Sequence, residues 1–534
     1  VAALRAGPAR CARTAAHLVL ACLALLAWAG GVARTAEPTV DTTPDIVTDA
    51  HVEEALAAAG AHRSELEAAL AASGGAEDPR VRCALRFLIA NMPHHGYVTT
   101  ELRDAKGRAV PFDPLAHDTF QQALAALEAL EAEHGPLDFA RDGFRADIDH
   151  VPADFLLAHV RGALAAWDRT PAHRRVGWRT FLEHVLPYRG SEEPLDAWLD
   201  PLLRRYAPEV HGAKGERSAA EVWAWLGHEV AARVRFDERY YLHPTDQGFG
   251  EMGRSGLGRC EDITNMQTYA ARSLGLAVAA DYTPWWAHRD NNHAWAVLLD
   301  AEGRGHDAGN AHAAKVYRKT FSLQRDALAW RLPPDREPPN RFLASRTYQD
   351  VTAQYRTVFP ASVTLVAAAA EGEAFAYVAV FNGGTWKAID WAPVEDGRAG
   401  FRDLGGGVVY LPTVFPAAEL LGAAPPFLLD VDGSVRVLRG TGAPTTVLLT
   451  ATRPRQQSVD THEVTPTSWL EVGTPYVLSR WQDGAWVEVA RPTAGEGPVR
   501  VQDLPADGLY WLVAPDGRGL ERIFTIEDGR QRFW

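Results

Sequence analysis

The feature that most constrains this chain is a repeat in its C-terminal third. Trp386, Leu404 and Tyr410 recur one hundred residues later as Trp486, Leu504 and Tyr510, and Tyr377 has a counterpart at Tyr476. Tyr377-Val-Ala-Val-Phe-Asn-Gly-Gly-Thr-Trp386 lines up with Tyr476-Val-Leu-Ser-Arg-Trp-Gln-Asp-Gly-Ala-Trp486, each an apolar run folded at an Asn-Gly or Asp-Gly turn, which is hairpin chemistry. The first pair lies one residue closer than the others, which places an extra residue in the second turn. Arg402-Asp403-Leu404 matches Gln502-Asp503-Leu504, each just ahead of a short aromatic strand. A duplication of this period predicts two tandem β-sandwich modules, at 360–455 and 456–534.

Ahead of the Pro-rich break at Pro333, Pro334, Pro338 and Pro339 the pattern is different. A chain of 534 residues is too long for one core. Residues 50–210 read as an α-helical domain: Val81, Ala84, Leu85 and Leu88 fall at helical spacing, Phe120–His134 is amphipathic up to Gly135-Pro136, and Ser64-x-x-Glu67 has the form of a capping box. Met92-Pro93-His94-His95 reads as loop, because adjacent histidines point apart. Residues 211–345 read as an α+β block. Ser218-x-x-Glu221 opens one helix, and a second runs from Cys260 to Gly275 with Ile263, Met266, Ala270 and Leu274 on its core face. Short strands follow at Ala277–Thr283, His293–Asp300 and Gly305–Gly309, the last two joined by a turn at 301–304.

The N-terminus has the plan of a secretory signal peptide over 1–33. Arg5, Arg10 and Arg13 precede an apolar run from Leu18 to Trp28, and small residues follow. A Pro/Thr/Asp linker occupies 34–49. The expected location is exported: periplasm, cell envelope or exterior, with no membrane span after cleavage. Removal of the three arginines takes the net charge from −14 to −17, which excludes nucleic acid and anionic lipid as natural partners. Cys83 and Cys260 would be the cysteines left, too few for a disulfide framework. One Cys83–Cys260 bridge is the remaining oxidised alternative.

Cys260 stands in Gly258-Arg259-Cys260-Glu261-Asp262-Ile263-Thr264-Asn265, behind Gly248, Gly250, Gly253 and Gly256. The thiolate is the nucleophile, and a helix N-terminus or a neighbouring imidazolium favours it. Asn291-Asn292-His293-Ala294-Trp295 follows, then His306-Asp307-Ala308-Gly309. Strand alternation puts His293, Trp295, Val297 and Leu299 on one face. If 305–309 pairs back antiparallel, Asp307 returns beside His293 to orient it. Asp300 is the other acid in reach, at the far end of the strand. The backbone N–H of Cys260 would donate to an oxyanion. Trp285, Trp286 and Asn292 are the candidate substrate-binding residues. His306, His312 and Asp307 lack compact metal spacing, and the residues require no cofactor.

Gly-x-Cys opening a helix, Ala-x-Ser-Leu-Gly-Leu-Ala closing it at 271–277, His-Ala-Trp on a strand and an Asp beyond it resemble the transglutaminase-like (papain-like thiol) superfamily, as found in large exported bacterial proteins. The shortened Gly303-Arg304-Gly305-His306-Asp307 departs from that pattern, which has a longer aromatic segment before its Asp. The resemblance implies a central transglutaminase-like core with a helix on an antiparallel sheet. It also implies Cys260 as nucleophile, His293 as base and acid, and Asp307 as orienting carboxylate. The expected activity is cysteine-dependent attack on a peptide, protein or glycopeptide amide, with hydrolysis favoured over cross-linking. The rival expectation is a catalytically silent scaffold that binds a glycan or envelope polymer.

Overall fold

The computed structural model describes residues 47–74, 78–210, 217–417, 419–457, 464–465, 467–514, 517 and 520–534. The predicted signal peptide and most of the linker lie outside the described residues. The chain is multidomain, with a helical first part, a central helix-and-sheet region, and barrel-like antiparallel sheets at its C-terminal end. Among the described residues no helix is long and apolar enough to cross a membrane.

Helices Asp49–Ala58, Arg63–Ala72, Pro79–Asn91, Ala153–Arg169 and Trp178–His184 enclose one core that includes Val52, Leu66, Leu85, Leu156 and Phe181. Periodicity carried these assignments, since their apolar residues recur at helical spacing. Two expectations for this part are corrected. The Ser64 box does not form: the helix already starts at Arg63, and Glu67 pairs with Arg63 at 2.7 Å. The part is also not all helical. Gly96–Asp104 and Leu137–Ala146 pair antiparallel, with helix Phe120–His134 in their connection. The β-branched run Val98-Thr99-Thr100 after Tyr97 favours extended backbone there. The Ser218/Glu221 box does form, with Glu221 N–H on the Ser218 hydroxyl at 3.2 Å and Ser218 N–H on the Glu221 carboxylate at 2.7 Å.

The central sheet is antiparallel, in the order His293–Leu298, Val278–Thr283, Tyr317–Lys319, Tyr348–Asp350. The His293 strand is therefore an edge strand. Helix Cys260–Ser273 lies against it, and Met266, Tyr269 and Ala270 share a buried cluster with Val278 and Ala296. Ala279 and Val297, on the other face, join the core of the helical part. The expected strand at 305–309 is absent. Its turn does form, with Asp300 N–H on Arg304 O at 2.8 Å, but Arg318 then takes the Gly303 and Gly305 carbonyls at 2.8 and 3.0 Å. These carbonyls are held by a guanidinium and not by the His293 edge.

The repeat is carried through into three dimensions. Tyr410 Oη donates to Gly405 O at 2.8 Å, and Tyr510 Oη donates to Pro505 O at 2.6 Å, one hundred residues apart. The hairpin registers match as well: Phe381 faces Trp386, and Trp481 faces Trp486. Both turns have two residues, Gly383-Gly384 and Asp483-Gly484, all at positive φ. No extra residue sits in the second turn, so the equivalence runs at one hundred throughout, and Val477 rather than Tyr476 stands where Tyr377 does. The first repeat lies in an eight-stranded sheet and the second in a seven-stranded one. Their hairpins bury Phe381, Trp386 and Trp481 against one another, joining the two units through the repeated aromatics.

Candidate functional site

Cys260 is the first residue of its helix and is 7 % exposed. The chain reaches it through Gly258, where a Cβ would fall 2.7 Å from the Asp262 Cβ, so no side chain fits. Asp262 holds this approach. Its carboxylate accepts N–H groups from Gln247 and Arg259, both at 2.9 Å, and the Gln247 amide at 3.0 Å. Burial lifts the Asp262 carboxyl to about 6, against the opposing charge of Arg259. Arg259 donates to Asp246 at 2.8 Å and lies 3.4 Å from Glu261. Burial opposes its charge, but Glu261, Asp246 and Asp262 hold it protonated well above the usual value.

Glu261 faces the sulfur. The Cys260 thiol donates to Glu261 Oε2 at 3.1 Å, and the Asn292 amide donates to Glu261 Oε1 at 3.2 Å. The neighbour of the nucleophile is thereby tied to the neighbour of the histidine. Asn292 shares strand parity with Ala296, which packs with the Cys260 helix. Cys83 and Cys260 remain thiols, so the bridge between them is not formed.

His293 opens its strand opposite Thr283. Its ring stacks with Trp295 at 5.4 Å and with Trp286 at 6.2 Å between centroids. Trp286 also stacks on His312 at 5.0 Å, carries the Arg289 guanidinium at 4.2 Å, and is 0 % exposed. Trp286 is thus a packing residue that presents no surface to a substrate. Trp285 is half-buried beneath the Lys387 ammonium. Behind the histidine, Trp295 Nε1 donates to Tyr355 Oη at 2.8 Å, Tyr355 Oη donates to Asp281 at 2.7 Å, and Arg318 makes a bidentate pair with Asp281 at 2.8 and 2.9 Å. Burial raises the Asp281 carboxyl, with Arg318 and Tyr355 working against that rise.

Asp307 stands elsewhere. It is exposed, and its carboxylate accepts the Gly309 N–H at 2.7 Å, capping the short turn Ala308–Asn310. Asp300 is likewise spent on its own turn, accepting N–H groups from Glu302 and Arg304 at 3.0 and 2.8 Å. Of the residues expected at the site, Cys260 and Asn292 meet through Glu261, and His293 and Trp286 meet by stacking. Glu261 and Asp281 had not been singled out. A charged residue inside the apolar strand Val278–Thr283 is the signal that could have found Asp281. Among the described residues no three His, Cys, Asp or Glu side chains converge as metal ligands would.

No protein-family model, curated protein or solved structure matches this chain.

Proposed function

We propose that this chain is a cysteine-dependent enzyme acting on amide carbonyls, built on a transglutaminase-like core with β-sandwich modules behind it. Cys260 Sγ attacks the carbonyl carbon, and the backbone N–H at the helix start donates to the developing oxyanion. His293 takes the thiol proton and gives it to the leaving amine as the C–N bond breaks, leaving a thioester on the sulfur. Water then hydrolyses the thioester, or a second amine accepts the acyl group. The observation that carries this reading is the Glu261 link, which ties the helix start at Cys260 to the residue before His293.

The orienting role expected of Asp307 requires its turn to move, because the carboxylate now caps Gly309. That placement favours the second reading: a silent scaffold. Two measurements separate the readings. Peptide, glutamine and glycopeptide amides are profiled with the wild-type chain and with Cys260→Ala, which abolishes turnover in an enzyme. Iodoacetamide labelling is then compared at both thiols. In an enzyme, iodoacetamide alkylates the buried Cys260 faster than the more accessible Cys83, whereas equal, slow labelling means a scaffold.

A further inference from the structure

Strand Val278–Thr283 ends opposite His293, so Pro284 to Asn292 form a nine-residue loop between paired strand ends. Hairpin loops are usually two to five residues, and a longer one must find partners for its inward-facing backbone. Here the partners come from the C-terminal sheets. Asn382 is 3 % exposed, and its amide lies on the carbonyls of Trp286 at 3.0 Å, Arg289 at 3.1 Å and Asn291 at 2.9 Å. The Asn382 carbonyl accepts Asn291 N–H at 3.2 Å. Gly383 N–H donates to Asp290 at 2.8 Å. From the second repeat, Arg522 pairs with Asp290 at 3.1 Å and donates to Ala287 O, and Gln456 donates to His288 O at 3.0 Å.

Every residue from Trp286 to Asn291 is therefore held by residue 382, 383, 456 or 522. Asn291 adopts a left-handed φ of 71°, a conformation that asparagine tolerates better than most other non-glycine residues. The next two residues are Asn292, which reaches Glu261, and His293.

We propose that the C-terminal repeats complete the candidate active site: Asn382, assisted by Arg522, is a positioning residue that sets the loop from which His293 is presented. This rests on the reading of Cys260 and His293 given above. The repeats then act as a template for the site and not as separable binding modules. Asn382 occupies the last strand position before the Gly383-Gly384 turn, where its equivalent in the second repeat is Gln482. The two hairpins therefore differ at the residue that makes most of the first one's hydrogen bonds to the loop.

The test uses the full chain and measures Cys260 alkylation by iodoacetamide across pH, together with amide hydrogen exchange in 284–292. Asn382→Ala, Arg522→Met and the milder Gln456→Ala are compared with His293→Ala. Arg398→Ala, which loses exposed contacts to Ser362 and Thr364 in the same sheet, is the control. Asn382→Ala is expected to slow alkylation at pH 7 by about tenfold, move its pH midpoint upward toward that of His293→Ala, and speed exchange in the loop. Gln456→Ala, which removes a single bond, gives the same shift in smaller measure even if the larger changes prevent folding. Wild-type rate and pH profile in all three loop variants, with His293→Ala slow, overturns the positioning role and leaves the Cys260–His293 reading standing. A His293→Ala variant with the wild-type profile overturns that reading and the positioning role together.

Discussion

Cys260 and Asn292 hold opposite oxygens of one carboxylate, with the thiol 3.1 Å from Glu261 Oε2 and the amide 3.2 Å from Glu261 Oε1. The sulfur faces a carboxylate oxygen that also lies 3.4 Å from the Arg259 guanidinium. An anion beside a sulfur opposes the thiolate, while the helix start favours it. Glu261 is thus a brake on the nucleophile as well as a link to the histidine strand.

Replacing the carboxylate with an isosteric amide separates these two roles. A unit charge at this distance, screened as in a partly buried site, is worth ~1–4 kcal/mol. Glu261→Gln is expected to raise the rate of Cys260 alkylation at pH 7 by about tenfold. A slower rate would mean that the carboxylate serves as the base that takes the thiol proton.

Asp307 offers the converse test. Its carboxylate caps an exposed turn, so Asp307→Ala should cost about 1 kcal/mol of stability, the usual value of a lost cap. On any amide the chain turns over, kcat/KM should stay within about threefold of wild type. Removing a true orienting carboxylate lowers turnover by about 10⁴. A loss of that size in steady-state assays would mean that the loop closes onto His293 during the reaction.

Behind the histidine, Arg318 and Asp281 are both almost wholly enclosed, with side chains 2 % and 0 % exposed. Asp281→Ala strands the guanidinium and should lower stability by about 3–5 kcal/mol, read as a drop in the urea midpoint. The double change Asp281→Leu with Arg318→Met should recover part of that loss, because no charge is then left unpaired. If the double variant is as unstable as the single one, the pair is not the source of the cost.

Acid sensitivity follows from buried histidines in the helical part. Burial lowers His159 from its ordinary value to about 4, and its ring donates to Leu186 O at 2.8 Å, as a neutral imidazole can. His95 and His184 are lowered for the same reason. Such a group stays neutral in the fold while the unfolded chain takes up protons below about 6.5. Stability is therefore full above about pH 6.5 and falls as the pH drops toward 4, by a few kcal/mol for His159 alone. Melting temperatures across that window should fall, and His159→Phe should flatten the slope.

The helices and the repeat were legible because their signals are local. Apolar spacing assigned Pro79–Asn91 and Cys260–Ser273, and Trp386 with Trp486 fixed the duplication before any packing was known. The strands at 96–104 and 137–146 are not legible locally because the partner of each lies beyond an intervening helix. The hairpin equivalence was misjudged by one residue because Tyr377 and Tyr476 look alike, although backbone register sets the true pairing.

The candidate site divides along the same line. Sequence alone determined that a cysteine opens a buried helix and that a histidine opens a strand, since both are set by the residues on either side of them. Tertiary structure alone decided three further points. Arg318 takes the carbonyls that a third strand needed, which leaves Asp307 on an exposed turn. Glu261 becomes the group that Cys260 and Asn292 share. Asn382, 91 to 96 residues beyond the histidine strand's approach, pins that approach in place. Each is a competition among distant groups for the same backbone or carboxylate partner. Its winner depends on which elements the fold brings within hydrogen-bonding distance, a fact that no local pattern encodes.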